Sequence, residues 1–548
     1  MRLSMLAVCV ACMASQVPGA VARAATPAEE KCILLNAVTI PPGAIGLPTN
    51  GARVTAAQLV PAMGTGPALV AEHCKVTVAI RPLDPAAPEI RFALALPSDW
   101  NGKTLMLGGG GFDGVIPNVA GQQTVGPADQ PPPVSRGYAV FGGDSGHQGT
   151  NAHVAFPNVD GSFAMNDEAL ANYAADALKK TRDAALHLIV RRYERTPARN
   201  YYAGGSNGGR EGFVVLARWP QDYDAAIVAY PYWSAVVNAM GFGRMARAIA
   251  APGAYPNPAK QTLLFNAVMS ACDGLDGVKD GVISNPNACK FDVGTLRCAG
   301  GADTGDSCLS DPQIAAIRTI EAPVTFKFPL GSGETVFQGW PILAGADLRG
   351  AQQLGTTPPV SPPTATQSIT AIFWDQLIRY AVARDPGVNS LAVDPENPGV
   401  WQQRLSYVEG MLDVPSTEFF AFQAHGGKLL VVHGLADAVV TPRSTVLWWN
   451  RLNDRMGAPT VRQFARLYTV PGYGHGAGGL SAFMAAWDSL PTLDAWVDGG
   501  KVPGPQIVAD TNAATKGRTR PLCEYPTWPK YAGSGDVNQA GSFACVTE

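Results

Sequence analysis

The chain has 548 residues, 46% of them hydrophobic and 16% charged, with a formal net charge of −3. That balance excludes a disordered chain and leaves enough length for a sizeable core in one large or several ordinary domains. No run of Lys and Arg and no basic stripe is present, so nucleic acid is not an expected partner.

Residues 1–24 read as a secretory signal. Arg2 supplies the positive start, residues 6–13 a short apolar run, and Ala22-Arg23-Ala24 an A-x-A cleavage site. The run is too short to span a bilayer and no later uninterrupted apolar run is long enough, so no membrane segment is expected. The expected location is the periplasm or the medium. Of the ten cysteines, Cys9 and Cys12 leave with the signal and eight remain. An even number in an exported chain points to disulfides. Proximity in sequence favours Cys32–Cys74, Cys272–Cys289, Cys298–Cys308 and Cys523–Cys545.

Between Cys74 and Leu96 the text alternates, as antiparallel strands at a sheet edge do. Residues 103–107 form a buried strand that runs into Gly108-Gly109-Gly110-Gly111-Phe112. Glycine lets backbone approach a substrate carbonyl closely, and an amide near Gly110 can serve as an oxyanion donor, worth about 3–4 kcal/mol of barrier. A Walker-type loop is excluded, because no Gly-Lys-Ser/Thr follows. A dinucleotide loop lacks its helix, so no organic cofactor is expected. Residues 138–141 form another short strand, ending at a loop that Asp144 and His147 are expected to shape near the site. Residues 166–192 repeat their apolar positions as one long amphipathic helix, with Asp167 and Glu168 at its start and Arg191 and Arg192 at its end.

The short aromatic strand 200–203 then leads into Gly204-Gly205-Ser206-Asn207-Gly208-Gly209-Arg210. Gly204-x-Ser206-x-Gly208 fits a nucleophile elbow. A serine on a sharp strand-to-helix turn needs neighbours without bulk two positions away on either side. The Asn207 amide would then face a developing oxyanion. The alternative is a glycine-rich surface loop that happens to hold a serine. Residues 212–217 are expected to open a buried helix.

From 230 to 415 regular strand–helix alternation is lost, and this stretch reads as an inserted lid. Within it, Cys272-Asp273-Gly274-Leu275-Asp276-Gly277-Val278-Lys279-Asp280-Gly281-Val282 has the look of a calcium loop. Crowded carboxylates repel unless a hard cation sits among them, and oxygen donors favour calcium. The spacing is not that of an EF-hand, and a solvated acidic turn remains the alternative. The buried strand 428–434 follows, then Asp437, whose carboxylate can hold a histidine tautomer. A last short strand, 467–470, ends in Pro471-Gly472-Tyr473-Gly474-His475. His433 is the competing base, while His73, His153, His187 and His425 lack comparable context. The order Ser206, Asp437, His475 is that of an α/β-hydrolase. The expected fold is therefore α/β, a mostly parallel central sheet flanked by helices. Residues 25–229 and 416–548 form the catalytic domain, and residues 230–415 form the lid.

These motifs together, from the glycine run to Pro471–His475, make the chain resemble the tannase and feruloyl esterase family of exported α/β-hydrolases, a family that includes a terephthalate monoester hydrolase. The resemblance covers nearly the whole mature chain. It implies calcium in the lid loop, held by the side chains of Asp273, Asp276 and Asp280 and the carbonyls of Val278 and Val282. The four cysteine pairs also match its pattern. The family usually carries a disulfide between the residue before the serine and the residue after the histidine. Here those positions are Gly205 and Gly476, which makes this chain an outlying member and predicts a more mobile His475 loop.

The implied activity is a secreted serine carboxylic ester hydrolase acting on small aromatic-acid esters. Ser206 would be the nucleophile, His475 the base, Asp437 its orienter, and the amides of Asn207 and Gly110 the oxyanion hole. In the lid, Phe373 and Trp374 are expected to wall the substrate and Arg379 to meet a substrate carboxylate. An amidase or peptidase on the same fold and a catalytically silent binding protein are the rival readings.

Overall fold

A computed structural model describes residues 26–150, 157–350, 353–364, 366–417, 419–476 and 481–547. The signal-like stretch 1–24 and His153 lie outside the described residues.

Among the described residues one mixed sheet of thirteen strands is built from residues 39–229 and 428–524. Its centre is parallel, in the order Ala139–Gly143, Lys103–Leu107, Arg199–Gly205, Ala225–Ala229, Lys428–Gly434, Ala465–Val470. Both margins are antiparallel. Thr39–Ile40, Ala52–Val60, His73–Ile80 and Ile90–Pro97 flank one side, and Thr519–Glu524, Gln506–Asp510 and Ala485–Ala486 the other. The parallel centre is as expected, and the strand alternation read at 74–96 is one part of an antiparallel margin. The period-2 geometry of a strand explains its two cores. In Arg199–Gly205, Tyr202 faces one with Phe213, Val214 and Trp448. Tyr201 and Ala203 face the other with Leu105, Ile227 and Trp496.

Helices Ala177–Tyr193, Asn207–Arg218, Pro442–Met456 and Ser489–Gly499 pack on these faces. The helix expected over 166–192 is interrupted. An α-turn Asp167–Ala171 passes into a π-turn Asn172–Asp176 before Ala177–Tyr193 begins. The helix after Ser206 starts at Asn207, five residues earlier than the apolar run suggested.

Between Ala229 and Lys428 the regular structure is mainly helical, with Ala235–Ala250, Pro258–Cys272, Asp311–Glu321, Ile369–Gln376 and Gln402–Leu412 joined by long irregular segments. It has its own core around Phe242, Trp340 and Trp374, which also takes in Phe112, Tyr173 and Val439 from the sheet half. All four expected disulfides are present: Cys32–Cys74, Cys272–Cys289, Cys298–Cys308 and Cys523–Cys545. Among the described residues no helix is long and apolar enough to cross a membrane.

Candidate active site

Parallel strands place all their C-terminal ends, and the loops that follow, along one edge of the sheet. The glycine run follows Lys103–Leu107, Ser206 follows Arg199–Gly205, Asp437 follows Lys428–Gly434, and His475 follows Ala465–Val470. Topology alone therefore brings together four segments that are far apart in sequence.

Ser206 sits on the turn with φ 59° and ψ −123°, a conformation costly for any residue with a side chain. The turn closes only because its neighbours lack side chains. A Cβ on Gly204 would lie 2.5 Å from the Gly208 carbonyl oxygen, and one on Gly208 would lie 2.7 Å from that of Gly109. The Ser206 amide donates to the Ala229 carbonyl (3.1 Å), and the Ser206 carbonyl accepts from the Tyr232 amide (3.0 Å). His475 Nε2 is 2.9 Å from Ser206 Oγ, and His475 Nδ1 is 2.7 Å from Asp437 Oδ2. Asp437 Oδ1 accepts from the amides of Val439 and Val440 at 2.8 and 2.9 Å. Burial alone would raise the Asp437 carboxyl. The neighbouring imidazoles, His475 foremost, outweigh it and hold the group well below the usual carboxylate range.

His433 is not placed as a base towards Ser206. It is buried, with Nδ1 2.8 Å from Thr445 Oγ1 and Nε2 3.0 Å from the Val440 carbonyl.

In the glycine run, the Gly108 amide donates to the Ala203 carbonyl, the Gly109 amide to Glu211, and the Phe112 amide to the Asn158 carbonyl. Among the described residues, the Gly110 amide donates to no protein group. A Cβ there would meet nothing within 4 Å, so the segment is open on that side. The Asn207 amide is the first of its helix and has no intrahelical partner. Its side chain is committed elsewhere: Nδ2 donates to Asp113 (2.8 Å) and Oδ1 accepts from Arg210 Nε (2.7 Å). Only the backbone of Asn207 is left to act as an oxyanion donor.

Residues without a catalytic signature hold this geometry. Glu211 takes the Gly109 amide at 3.1 Å, the Ser145 hydroxyl at 3.1 Å and lies 3.0 Å from the Tyr202 hydroxyl. Asp113, fully buried beside it, is pushed well above the usual carboxylate range, first by burial and then by the Glu211 charge. Arg210 donates to the carbonyls of Tyr173 and Ala174, at 2.9 and 2.8 Å. Those carbonyls belong to the π-turn, where the helical ladder is broken. After the strand Ala139–Gly143, Ser145 donates to Glu211, while the His147 ring stacks on Phe163 with centroids 3.7 Å apart.

The expected substrate contacts divide. Phe373 lies edge-on to Phe112 at 5.0 Å and so reaches the end of the glycine run. Trp374 does not wall the site. It is fully buried, its Nε1 donates to the Ser390 carbonyl, and its indole fills the place of a Gly243 side chain. Arg379 is not free to meet a substrate carboxylate, because Nε donates to the Pro386 carbonyl at 2.7 Å and Nη1 to Asp375 at 3.2 Å.

The acidic loop 273–282 is bonded to itself. Asp273 accepts from the amides of Asp280, Gly281 and Val282, and Asp276 from those of Val278 and Ser284. Asp280 pairs with Arg520, and its carbonyl accepts from Arg518. Among the described residues no three acidic, histidine or cysteine side chains converge as a metal site.

The profile described as tannase and feruloyl esterase matches residues 74–546. The chain belongs to the tannase and feruloyl esterase family. With that family it joins the carboxylic ester hydrolases. It is 37% identical to an uncharacterized esterase of Agrobacterium fabrum, over 94% of this chain and 93% of that one. It is 30% identical to the mono(2-hydroxyethyl) terephthalate hydrolase of Piscinibacter sakaiensis, over 87% of this chain and 85% of the relative. The feruloyl esterase B structure from Aspergillus oryzae superposes with a TM-score of 0.75 at 21% identity, covering 95% of this chain and all of the other, which shows the shared fold.

Proposed function

We propose that this family member is a serine esterase that cleaves small aromatic-acid esters through an acyl-enzyme. The observation that carries the reading is the unbroken chain Ser206 Oγ, His475, Asp437, with links of 2.9 and 2.7 Å. Ser206 Oγ attacks the ester carbonyl as its proton passes to His475 Nε2. The amides of Asn207 and Gly110 receive the oxyanion. Collapse expels the alcohol, which takes the proton from His475 and leaves the acyl group on Ser206. Water, deprotonated by His475, then releases the acid and restores the serine. Asp437 keeps Nδ1 protonated and stabilises the imidazolium.

The aromatic preference draws on the named activities of the relatives and on Phe373 and Phe112 beside the glycine run. Residues 230–415 act as the lid in this reading. Export is supported by the signal-like residues 1–24 and by the four disulfides, which form in oxidising compartments. Calcium in the 273–282 loop belongs to the same proposal on its hard oxygen donors alone. It requires Asp280 to leave Arg520 and the carboxylates to turn from the loop amides.

The test is hydrolysis of methyl gallate, methyl ferulate, a terephthalate monoester and a p-nitrophenyl ester by the wild type and Ser206→Ala. Turnover of an aromatic ester that vanishes in the variant is expected. Equal turnover in both would overturn the mechanism, and turnover of the p-nitrophenyl ester alone would overturn the substrate class.

A further inference from the structure

Tyr230 is the first residue past the strand Ala225–Ala229, and its backbone belongs to the site. Its amide donates to the Val432 carbonyl at 2.7 Å. The residues on either side of the 230–231 pair hold Ser206: Ala229 takes the Ser206 amide, and Tyr232 donates to the Ser206 carbonyl. Tyr230 adopts φ 33°, on the side of the map that residues with a Cβ avoid. Such a conformation persists where the surroundings over-determine it, and it recurs at functional sites.

The ring shows what the strain secures. It is 7% exposed and lies between the strand that ends at Gly205 and the loop that carries His475. A Cβ on Gly205 would lie 2.5 Å from Thr124 Cγ2 and 2.9 Å from both Cε2 and Cζ of the ring. A Cβ on Gly476 would lie 2.9 Å from its hydroxyl oxygen. These distances are shorter than real Cβ contacts, so both glycines leave room for the tyrosine ring, and Gly205 for Thr124 as well. The ring centroid is 4.8 Å from that of His475, tilted by 56°, and 6.0 Å from that of Tyr473. One side chain thus touches the residue before the nucleophile, the base itself and the residue after the base.

We propose that Tyr230 is a positioning residue: its ring is a non-covalent wedge that fixes the His475 loop against the elbow and keeps Nε2 in reach of Ser206 Oγ. This role rests on the serine-esterase reading above. Gly205 and Gly476 are the complementary half of the device. A ring that holds the loop by packing opposes the expected mobility of the His475 loop, and the exchange measurement below decides between them.

The test compares Tyr230→Ala, Tyr230→Gly and Tyr230→Phe with the wild type. The readouts are the labelling rate of Ser206 by a fluorophosphonate and hydrogen exchange over residues 471–476. Tyr230→Gly matters because glycine tolerates the positive φ without strain, so this variant removes the wedge without adding backbone strain. If the residue served only the backbone, the glycine variant would label at the wild-type rate. The expected result is labelling slowed about tenfold or more in the Ala and Gly variants, the scale of a base displaced by a fraction of an ångström to an ångström. Exchange over 471–476 should rise in both. Tyr230→Phe, which keeps the ring, should restore labelling to within about threefold of wild type. Wild-type labelling and exchange in a folded Tyr230→Gly would overturn the proposal while leaving the esterase reading intact. A wild type that takes no label at all would overturn both.

Discussion

His433 Nε2 stands 3.4 Å from the Asp437 oxygen that takes His475 Nδ1 at 2.7 Å. Two imidazoles therefore share one buried carboxylate, and of the two it is His475 that reaches Ser206 Oγ. His475→Ala should abolish ester turnover beyond the residual level, a loss on the order of 10⁴-fold or more. His433→Ala should keep most of the turnover. Its cost should fall on stability, about 1–3 kcal/mol, because Thr445 Oγ1 and the Val440 carbonyl lose their partner. Steady-state kinetics and urea melts of the two variants separate the roles. Equal kinetic losses would sink the assignment.

Asp144 makes stability depend on pH. Burial raises its carboxyl to about 6, although bonds from Gln148 and from the amides of Arg91 and Gly146 favour the charged form. A carboxyl raised in the folded state binds its proton more tightly there than when unfolded. Its contribution is full below the ordinary value of 3.8 and is lost as pH rises through about 6. That loss is on the order of 3 kcal/mol. Asp144→Asn should flatten this fall, so the wild-type and variant urea midpoints should converge at pH 4 and differ at pH 7.

The elbow glycines should not tolerate a methyl group. Gly204→Ala and Gly208→Ala each drive a Cβ to within 2.7 Å or less of a carbonyl oxygen. A destabilisation of about 1–3 kcal/mol or more is expected from such overpacking. Gly110→Ala meets no atom within 4 Å and should leave the melting temperature unchanged. Thermal melts of the three variants test the contrast.

Cys32 and Cys74 are both fully buried and tie the first helix to the antiparallel margin of the sheet. Replacing both by serine should cost about 2–5 kcal/mol, since the unfolded chain regains the freedom of the closed loop. The melting temperature should drop while the folded fraction still turns over ester at 25 °C, a temperature set by the assay.

Calcium is testable without an activity assay. If the 273–282 loop binds it, millimolar calcium should raise the melting temperature over that in chelator, and Asp273→Ala should abolish the difference. A wild type with identical melts would leave the loop as the self-bonded turn that its hydrogen bonds describe.

The triad segments were legible because their chemistry is local. A serine between two glycines after an aromatic strand, and an acid and a histidine each past a late buried strand, are visible in short windows. The supporting network was not. Glu211 and Asp113 are far apart in the chain and meet only when the glycine run packs on the elbow helix. The π-turn at Asn172–Asp176 keeps an apolar spacing that looks helical throughout. Tyr230 read as one more core aromatic after a strand. Arg379 carried a usable warning: Asp375 stands four residues before it, the spacing of an ion pair along a helix. Trp374 carried another, for the run Ile372-Phe373-Trp374 sits in a helix apolar on nearly every side, which is the mark of a buried element.

The four disulfides join segments within 32–74, 272–289, 298–308 and 523–545, and none of them links the stretch holding Ser206 to the stretch holding His475. Between those two stretches stands an aromatic ring. The redox state of the surroundings can therefore change how long the protein survives without changing how Ser206 meets His475. In a reducing medium, activity should decline in step with global unfolding and show no separate early phase. An enzyme built this way can lose its staples and still, for as long as it stays folded, do its chemistry.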